Sequence, residues 1–253
     1  MTNHTDHKNE ITKVCILAGK LMLQSGAETY RVEDTMIRIA ASYGIENPQS
    51  FVTPTGILFS IQDTDPTSFV RIVERSTDLH KVTLVNSVSR KISSGELSVA
   101  QASQRLKEIE KQTHAYSIPV QVMAASVTSG SFAIMFNGQW SDFIPALITG
   151  GIGYSTVVYS HRVVEIRFFA EFFAAVMIGL IAYCFLFFGI GNELDKIIIG
   201  SVMPLVPGLL ITNAVRDLMA GHLVSGLSKG AEAFLTAFAI GAGIAVVLSI
   251  VGG

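Results

Sequence analysis

The second half of this chain is a succession of apolar runs, at about 119–136, 143–159, 168–188, 197–212 and 233–251. Nothing else in the sequence restricts the fold as much. In hydrocarbon every backbone N–H and C=O must find a partner within the protein, which leaves helices as the form such runs can take. The expectation is an α-helical polytopic membrane protein with five transmembrane helices. Charge is distributed to match: of 18 Lys and Arg, 13 precede residue 115, as do 13 of the 20 acidic residues. The reading is therefore an N-terminal cytosolic α+β domain over 1–115 joined to a membrane domain over 116–253. The polar start, MTNHTDHKNE, lacks the apolar core of a signal peptide, so the N-terminal domain is expected to stay in the cytosol. A net charge of −2 and the lack of a basic patch with interleaved aromatics give no reason to expect a nucleic-acid partner.

Within 1–115, Ile11, Val14, Cys15, Ala18, Leu21 and Met22 recur at helical spacing, and Val32, Thr35, Met36 and Ile39 resume it. One long helix or two abutting ones are expected, stopped by Gly44. Between the apolar stretches, Ser25-Gly26-Ala27-Glu28-Thr29 and Arg31-Val32-Glu33 set small residues beside charges, and Glu28 and Arg31 share a helix face and can pair. Two strands are expected around Pro54-Thr55-Gly56, with Pro54 at the first central turn position and Gly56 supplying positive φ. A turn at 63–66, a strand at 69–73 and helices at 79–92 and 98–111 complete an α-β-β-β-α-α order. Ser98 is a candidate cap, with Gln101 as a weak partner. Cys15 and Cys184 have neither a disulfide mate nor metal-ligand spacing and are read as buried small hydrophobes. His80 and His114 are read as isolated surface residues. With no Gly-rich phosphate loop, activated nucleophile or His cluster, no catalytic residue, metal or cofactor is expected.

In the membrane domain, small residues spaced four apart, as in Ala124 to Ser131 and Gly150 to Gly153, indicate closely packed helices. Arg162 and Arg167 fall between the second and third runs, and Arg216 and Lys229 between the fourth and fifth. The remaining connections hold only Lys196. The bias of basic residues to the cytosolic side then puts the C-terminus outside.

The fourth run is the exception. Its sixteen residues give only about 24 Å of helix at ~1.5 Å per residue, short of the ~30 Å hydrocarbon core. Pro204 and Pro207 cannot donate to the carbonyls of Gly200 and Met203, and Gly208 is expected to let the chain bend there. A short run interrupted by Pro and Gly points to a transporter's binding site, while a kink that only shapes packing is the plainer alternative. Ser201, Pro204, Pro207, Gly208, Asn213 and Arg216 are the substrate-binding candidates. Asp217, Glu171 and Glu232 are the proton-coupling candidates, since ionisable groups at membrane depth are functional by default. Each acid also has a structural reading, Glu171 pairing with Arg167, and Asp217 and Glu232 pairing with Arg216 and Lys229.

Taken in order, Ser25-Gly-Ala-Glu-Thr29 with Arg31-Val-Glu33, Pro54-Thr-Gly56, and Pro204-Leu-Val-Pro-Gly208 through Asn213-Ala-Val-Arg-Asp217 to Gly221, Ser225-Gly226 and Glu232-Ala233 resemble the threonine/serine exporter family. The likeness is to its split form, in which a soluble domain and five spans share one polypeptide. That resemblance implies export of small amino acids across a prokaryotic inner membrane, with a dicarboxylate such as succinate as the alternative cargo. It also implies a separate small membrane protein of about five spans supplying a second half, with further oligomerisation left open. Proton coupling, as in an antiporter, is the expected drive. A membrane-anchored enzyme or sensor, with Glu28, Arg31, Glu33 and Thr55 forming a cytosolic site, is the alternative of another class.

Overall fold

The computed structural model describes residues 2–61, 66–163 and 167–251, with the side chains of residues 1–6, Arg162, Val163 and Arg167 outside that description. The chain forms two compact units: Met1–Ala115 with Ile211–Gly230, and Tyr116–Leu210 with Ala231–Gly253. Residues 211–230, which the sequence reading groups with the spans, thus pack with the N-terminal segment.

The first unit opens with two helices, α1 (Thr2–Gln24) and α2 (Thr29–Ser42). They are separate because Gly26 takes a left-handed conformation, φ 87°. The Gly26 N–H then donates to Leu23 O and the Ala27 N–H to Met22 O, which closes the end of α1. Strands β1 (Gln49–Thr53), β2 (Gly56–Ser60) and β3 (Ser68–Arg71) follow, then α3 (Leu79–Ser93) and α4 (Val99–Lys111). The sheet is antiparallel in the order β1-β2-β3, with Thr53 opposite Gly56 and Gly56 opposite Arg71. Pro54 and Thr55 are therefore the turn, and Gly56 already belongs to β2. Its φ is not positive; a Cβ there would stand 2.9 Å from the ring of exposed Phe69, which would have to shift to make room. The core joins Val14, Ala18 and Met22 of α1 to Met36 and Ile39 of α2, Ile57 and Phe59 of β2, Val85 of α3 and Leu106 of α4.

The Ser98 cap forms in both directions, because Gln101 Oε1 accepts the Ser98 N–H at 2.9 Å as a Glu would. Burial pushes the Cys15 thiol up to about 12, in keeping with an inert core residue. Cys184 is exposed on its apolar helix, not buried as expected. His80 and His114 are not isolated either: their rings meet edge to face at 4.5 Å, and His114 Nδ1 lies 3.0 Å from Asp78, the residue that caps α3. The turn expected at 63–66 falls largely outside the described residues.

The second unit is built from α5 (Ile118–Met135), α6 (Trp140–Val163), α7 (Arg167–Phe187), α8 (Leu194–Val202) and the later part of α10 (Leu223–Val251). The four helices α5, α6, α7 and α10 are long and apolar enough to cross a membrane. Glycines let them approach. A Cβ on Gly200 would lie 2.6 Å from Ser129 O, and one on Gly243 would lie 2.6 Å from Phe172 O. The fourth run is broken, as expected. Helix α8 tightens into a 3₁₀ turn at Met203–Leu205, and α9 (Gly208–Met219) resumes at 60° to it. Counting that bent pair as one crossing gives up to five spans.

Two details of the break differ from expectation. The carbonyls of Gly200 and Met203 are not left open, since the Met203 N–H donates to Gly200 O and the Val206 N–H to Met203 O at 3.2 Å. The i→i+3 bonds of the tighter turn replace what the prolines cannot donate. Nor does the bend need a glycine. Gly208 has no positive φ, and nothing lies within 4 Å of where its Cβ would be.

Candidate functional site

In the first unit, α9 and the start of α10 form a helical hairpin turning at Gly221, φ 86°. Asn213, Arg216 and Asp217 lie on one face of α9 by their i, i+3, i+4 spacing, and Ser225 and Lys229 on one face of α10. All five reach residues of the N-terminal segment. Helix α2 begins at Thr29, and its cap residue Glu28 supplies no side-chain acceptor for the first N–H groups. Asp217 supplies it instead, from 188 residues away: its Oδ1 accepts the Thr29 N–H at 2.9 Å and the Tyr30 N–H at 3.4 Å. A carboxylate against a helix N-terminus is favourable both as an acceptor and as a charge.

The other oxygen of Asp217 accepts from Lys229 Nζ at 2.7 Å, and the same ammonium donates to Thr29 Oγ1 at 3.0 Å. This pair is buried, with side-chain exposures of 0 % for Asp217 and 5 % for Lys229. Asn213 Nδ2 donates to Gly26 O at 2.9 Å. Glu28 accepts from Arg216 at 2.5 Å on one oxygen and from Arg31 at 3.1 Å on the other. Ser225 Oγ donates to Val52 O at 3.1 Å, while Glu33 Oε1 accepts the Val52 N–H at 2.7 Å and faces His222 Nδ1 at 3.6 Å. The hairpin is thus fastened to the opening of α2 and to β1.

The two glutamates titrate in opposite directions. Burial works to raise the Glu28 carboxyl, but its own backbone N–H, Arg216 and Arg31 outweigh it and hold the group below the ordinary 4.5. At Glu33 burial wins over the Val52 N–H and His222, with Asp217 adding repulsion, and the carboxyl lies above 4.5. The Glu28 contribution to stability is complete above its unfolded value and is lost as pH falls through the lowered folded one. The Glu33 contribution is complete below its unfolded value and is lost as pH rises through the raised folded one. Glu28→Gln should therefore unfold at a lower temperature than the parent at neutral pH, with the gap closing in acid. Glu33→Gln keeps the acceptor for Val52 and should gain on the parent as pH rises. Unfolding midpoints followed from acid to neutral pH check both trends.

The sequence candidates thus fall into two groups. Asn213, Arg216 and Asp217 join Gly26, Glu28, Thr29 and Arg31. Ser25 lies beside them, its carbonyl accepting the Asp78 N–H. Of the turn residues, Pro54 is buried and Thr55 exposed. Ser201, Pro204, Pro207 and Gly208 belong to the second unit, where buried Ser201 donates to Ala146 O at 3.2 Å. Also in that unit, Glu171 lies 3.7 Å from Nε2 of His161, while its suggested partner Arg167 has no described side chain. Glu232 is half-buried near the start of the apolar part of α10. Of the expected ion pairs, Glu28 with Arg31 and Asp217 with Lys229 are present, while Arg216 pairs with Glu28 across the chain. Among the described residues no group of three or more His, Cys, Asp or Glu is placed to hold a metal ion.

Sequence reasoning missed Lys229 as a site residue, and also His161 and Asp142. Buried Asp142 fastens the segment before α8 by accepting the Asn192 N–H at 2.6 Å, the Glu193 N–H at 3.2 Å and the Gln139 N–H at 3.0 Å. Lys229 could have been suspected from Gly221, because a helical turn there brings residues 217 and 229 face to face.

The family model for threonine/serine exporters matches residues 13–251. The chain belongs to the threonine/serine exporter family. It is 25 % identical over 236 residues to a Mycobacterium tuberculosis protein named "Probable threonine/serine exporter", covering 91 % of this chain but 44 % of that protein. It is 26 % identical over 258 residues to the Escherichia coli "Probable succinate transporter subunit YjjP", covering 98 % of this chain and 97 % of that one. A Klebsiella aerogenes protein of the same name is also 26 % identical, over 249 residues. The chain spans less than half of the mycobacterial exporter and nearly all of the two subunits. No solved structure matches it. As a family member with four or five membrane-length apolar spans, the chain is a polytopic membrane protein of an exporter family.

Proposed function

We propose that this chain is one subunit of a two-component secondary exporter in a prokaryotic inner membrane, with small amino acids such as threonine or serine as cargo. The observation that carries the reading is the break at Met203–Leu205. Neither α8 with its 3₁₀ turn nor α9 is long enough to cross alone, so the pair makes one interrupted crossing. The N-terminus of α9, at exposed Gly208, carries partial positive charge suited to a carboxylate. The C-terminal end of α8 carries the complementary partial charge suited to an ammonium group. Ser201, Pro204 and Pro207 shape that place. Asn213, Arg216 and Asp217 act as the tether described above, relaying movement of α9 to the opening of α2.

A zwitterionic cargo fits the charge present, because Arg216 and Lys229 are taken up by Glu28 and Asp217. Proton coupling is assigned to Glu171 with His161. Residues 1–115 are assigned to the cytosol, with the cytosolic end of α9 and the loop between the last two spans fastened to them, and the C-terminus to the outside. A separate five-span protein supplies the second half.

Efflux of radiolabelled threonine, serine and succinate from vesicles, with and without a co-expressed second component, tests the proposal. Amino-acid efflux should require both components, and Pro207→Ala should reduce it about tenfold, the effect of ~1.4 kcal/mol of misplaced interaction. Normal amino-acid efflux by a correctly inserted Pro207→Ala would sink the break as the cargo site. The second reading, a dicarboxylate cargo, is favoured by the end-to-end match to proteins named as succinate transporter subunits. Succinate efflux in place of amino-acid efflux decides for it.

A further inference from the structure

We propose that a recess between α2 and α3 is a binding site for a small dianion, a dicarboxylate or a phosphate. The inference is independent of which solute the protein carries.

The recess has a volume of about 180 Å³ and is lined by Arg31, Asp34, Thr35 and Arg38 of α2 with Asn86, Ser89 and Arg90 of α3. The α2 residues stand at i, i+3, i+4 and i+7 and the α3 residues at i, i+3 and i+4, so each helix turns one polar face to the space. Three guanidinium groups face it against one carboxylate. Asp34 is held by Arg38 at 2.6 Å, and Arg31 spends one nitrogen on Glu28 at 3.1 Å. The Arg90 side chain makes no hydrogen bond or ion pair among the described residues.

The floor of the recess points to a ligand more directly. Thr35 is 5 % and Ser89 4 % exposed, and neither hydroxyl has a hydrogen-bond partner among the described residues. Other hydroxyls in this unit behave differently. Thr12, Ser42 and Thr83 each turn back onto the carbonyl four residues earlier. Two hydroxyls on largely buried residues, their oxygens open to the recess and bonded to no described residue, lie under an excess of guanidinium forks; this is the donor set that an oxyanion takes, with bidentate Arg contacts from the rim and hydroxyl contacts from the floor. A single negative charge is already supplied by Asp34, so a second occupant must carry enough charge to engage Arg90 and share Arg31 or Arg38.

Occupancy has a route outward. Arg31 and Arg216 hold the two oxygens of Glu28, so an anion that draws Arg31 into the recess loosens one side of the contact between α9 and the opening of α2. An effector site coupled to the hairpin is the consequence.

The test is calorimetric titration of the full-length protein in detergent micelles at low salt, with inorganic phosphate and with succinate as separate probes. At least one should bind saturably, and the one that binds names the source. Arg90→Gln, an exposed substitution, and Ser89→Ala should each weaken it, Arg90→Gln by about tenfold, the effect of losing one charge-assisted hydrogen bond. Pro207→Ala, in the other unit, should leave phosphate binding unchanged; a succinate signal lost in Pro207→Ala but kept in Arg90→Gln belongs to the carrier and counts against this site. No binding of either probe, or binding that is as tight in Arg90→Gln and Ser89→Ala as in the parent, overturns the proposal.

Discussion

Asp217→Ala is expected to destabilise the first unit by about 3–5 kcal/mol, the range found when one partner of a buried ion pair is removed. The loss has two sources. Lys229 would keep its ammonium buried with only Thr29 Oγ1 as a partner. The opening N–H groups of α2 would also lose their acceptor, because Glu28 does not cap them. The two sources separate in a second variant. Replacing the pair together, Asp217→Leu with Lys229→Met, removes the stranded charge and should restore most of the stability, since apolar replacement of a buried pair is often neutral or better. What stays missing is the cap, about 1 kcal/mol. Thermal unfolding of the purified protein gives the order parent, double variant, single variant. A single variant within about 1 kcal/mol of the parent would show that the ion pair is not buried in the working protein.

The same cluster shows where a sequence stops being informative. The apolar runs announce α5, α6, α7 and α10 because burial in hydrocarbon leaves its mark on every residue of a span. Pro204 and Pro207 announce the break because an imide nitrogen cannot donate wherever it sits. Gly44 and Gly26 mark helix ends because left-handed backbone favours glycine. Each of these signals is local. The contacts of Asp217 with Thr29 and of Arg216 with Glu28 join residues 188 apart, and no local pattern carries that pairing. Neighbourhood in the chain groups Asn213, Arg216 and Asp217 with the nearby prolines, whereas their hydrogen bonds go to Gly26, Glu28 and Thr29. Helix α10 illustrates the same limit. It starts at Leu223, well before the apolar run at 233, because Ser225 and Lys229 satisfy their polar groups on the N-terminal segment, not in water. Hydropathy alone reads that turn of helix as loop.

The second large effect is expected at Gly200. Helix propensity argues that alanine should improve an interior helical glycine by up to about 1 kcal/mol. Packing argues the reverse. A Cβ there would lie 2.6 Å from Ser129 O, 2.8 Å from the Ala133 nitrogen and 2.9 Å from Ala133 Cβ. Two of those three atoms are backbone of α5, which cannot rotate away as a flexible side chain could. Room can come only from separating α8 from α5; the turn after α5 also brings Gly138 against Lys196 of α8, and Ala133 and Ile197 belong to one buried cluster. Overpacking of a filled interior costs roughly 1–3 kcal/mol, and Gly200→Val should lie beyond that range. Gly241 is the internal control: it is helical, and nothing lies within 4 Å of its would-be Cβ. Gly241→Ala should therefore match or exceed the parent in thermal unfolding in micelles, while Gly200→Ala falls below it. Equal midpoints for the two variants would mean that α5 and α8 are not in contact at Gly200, and the close helix packing that seats the broken span would have to be abandoned.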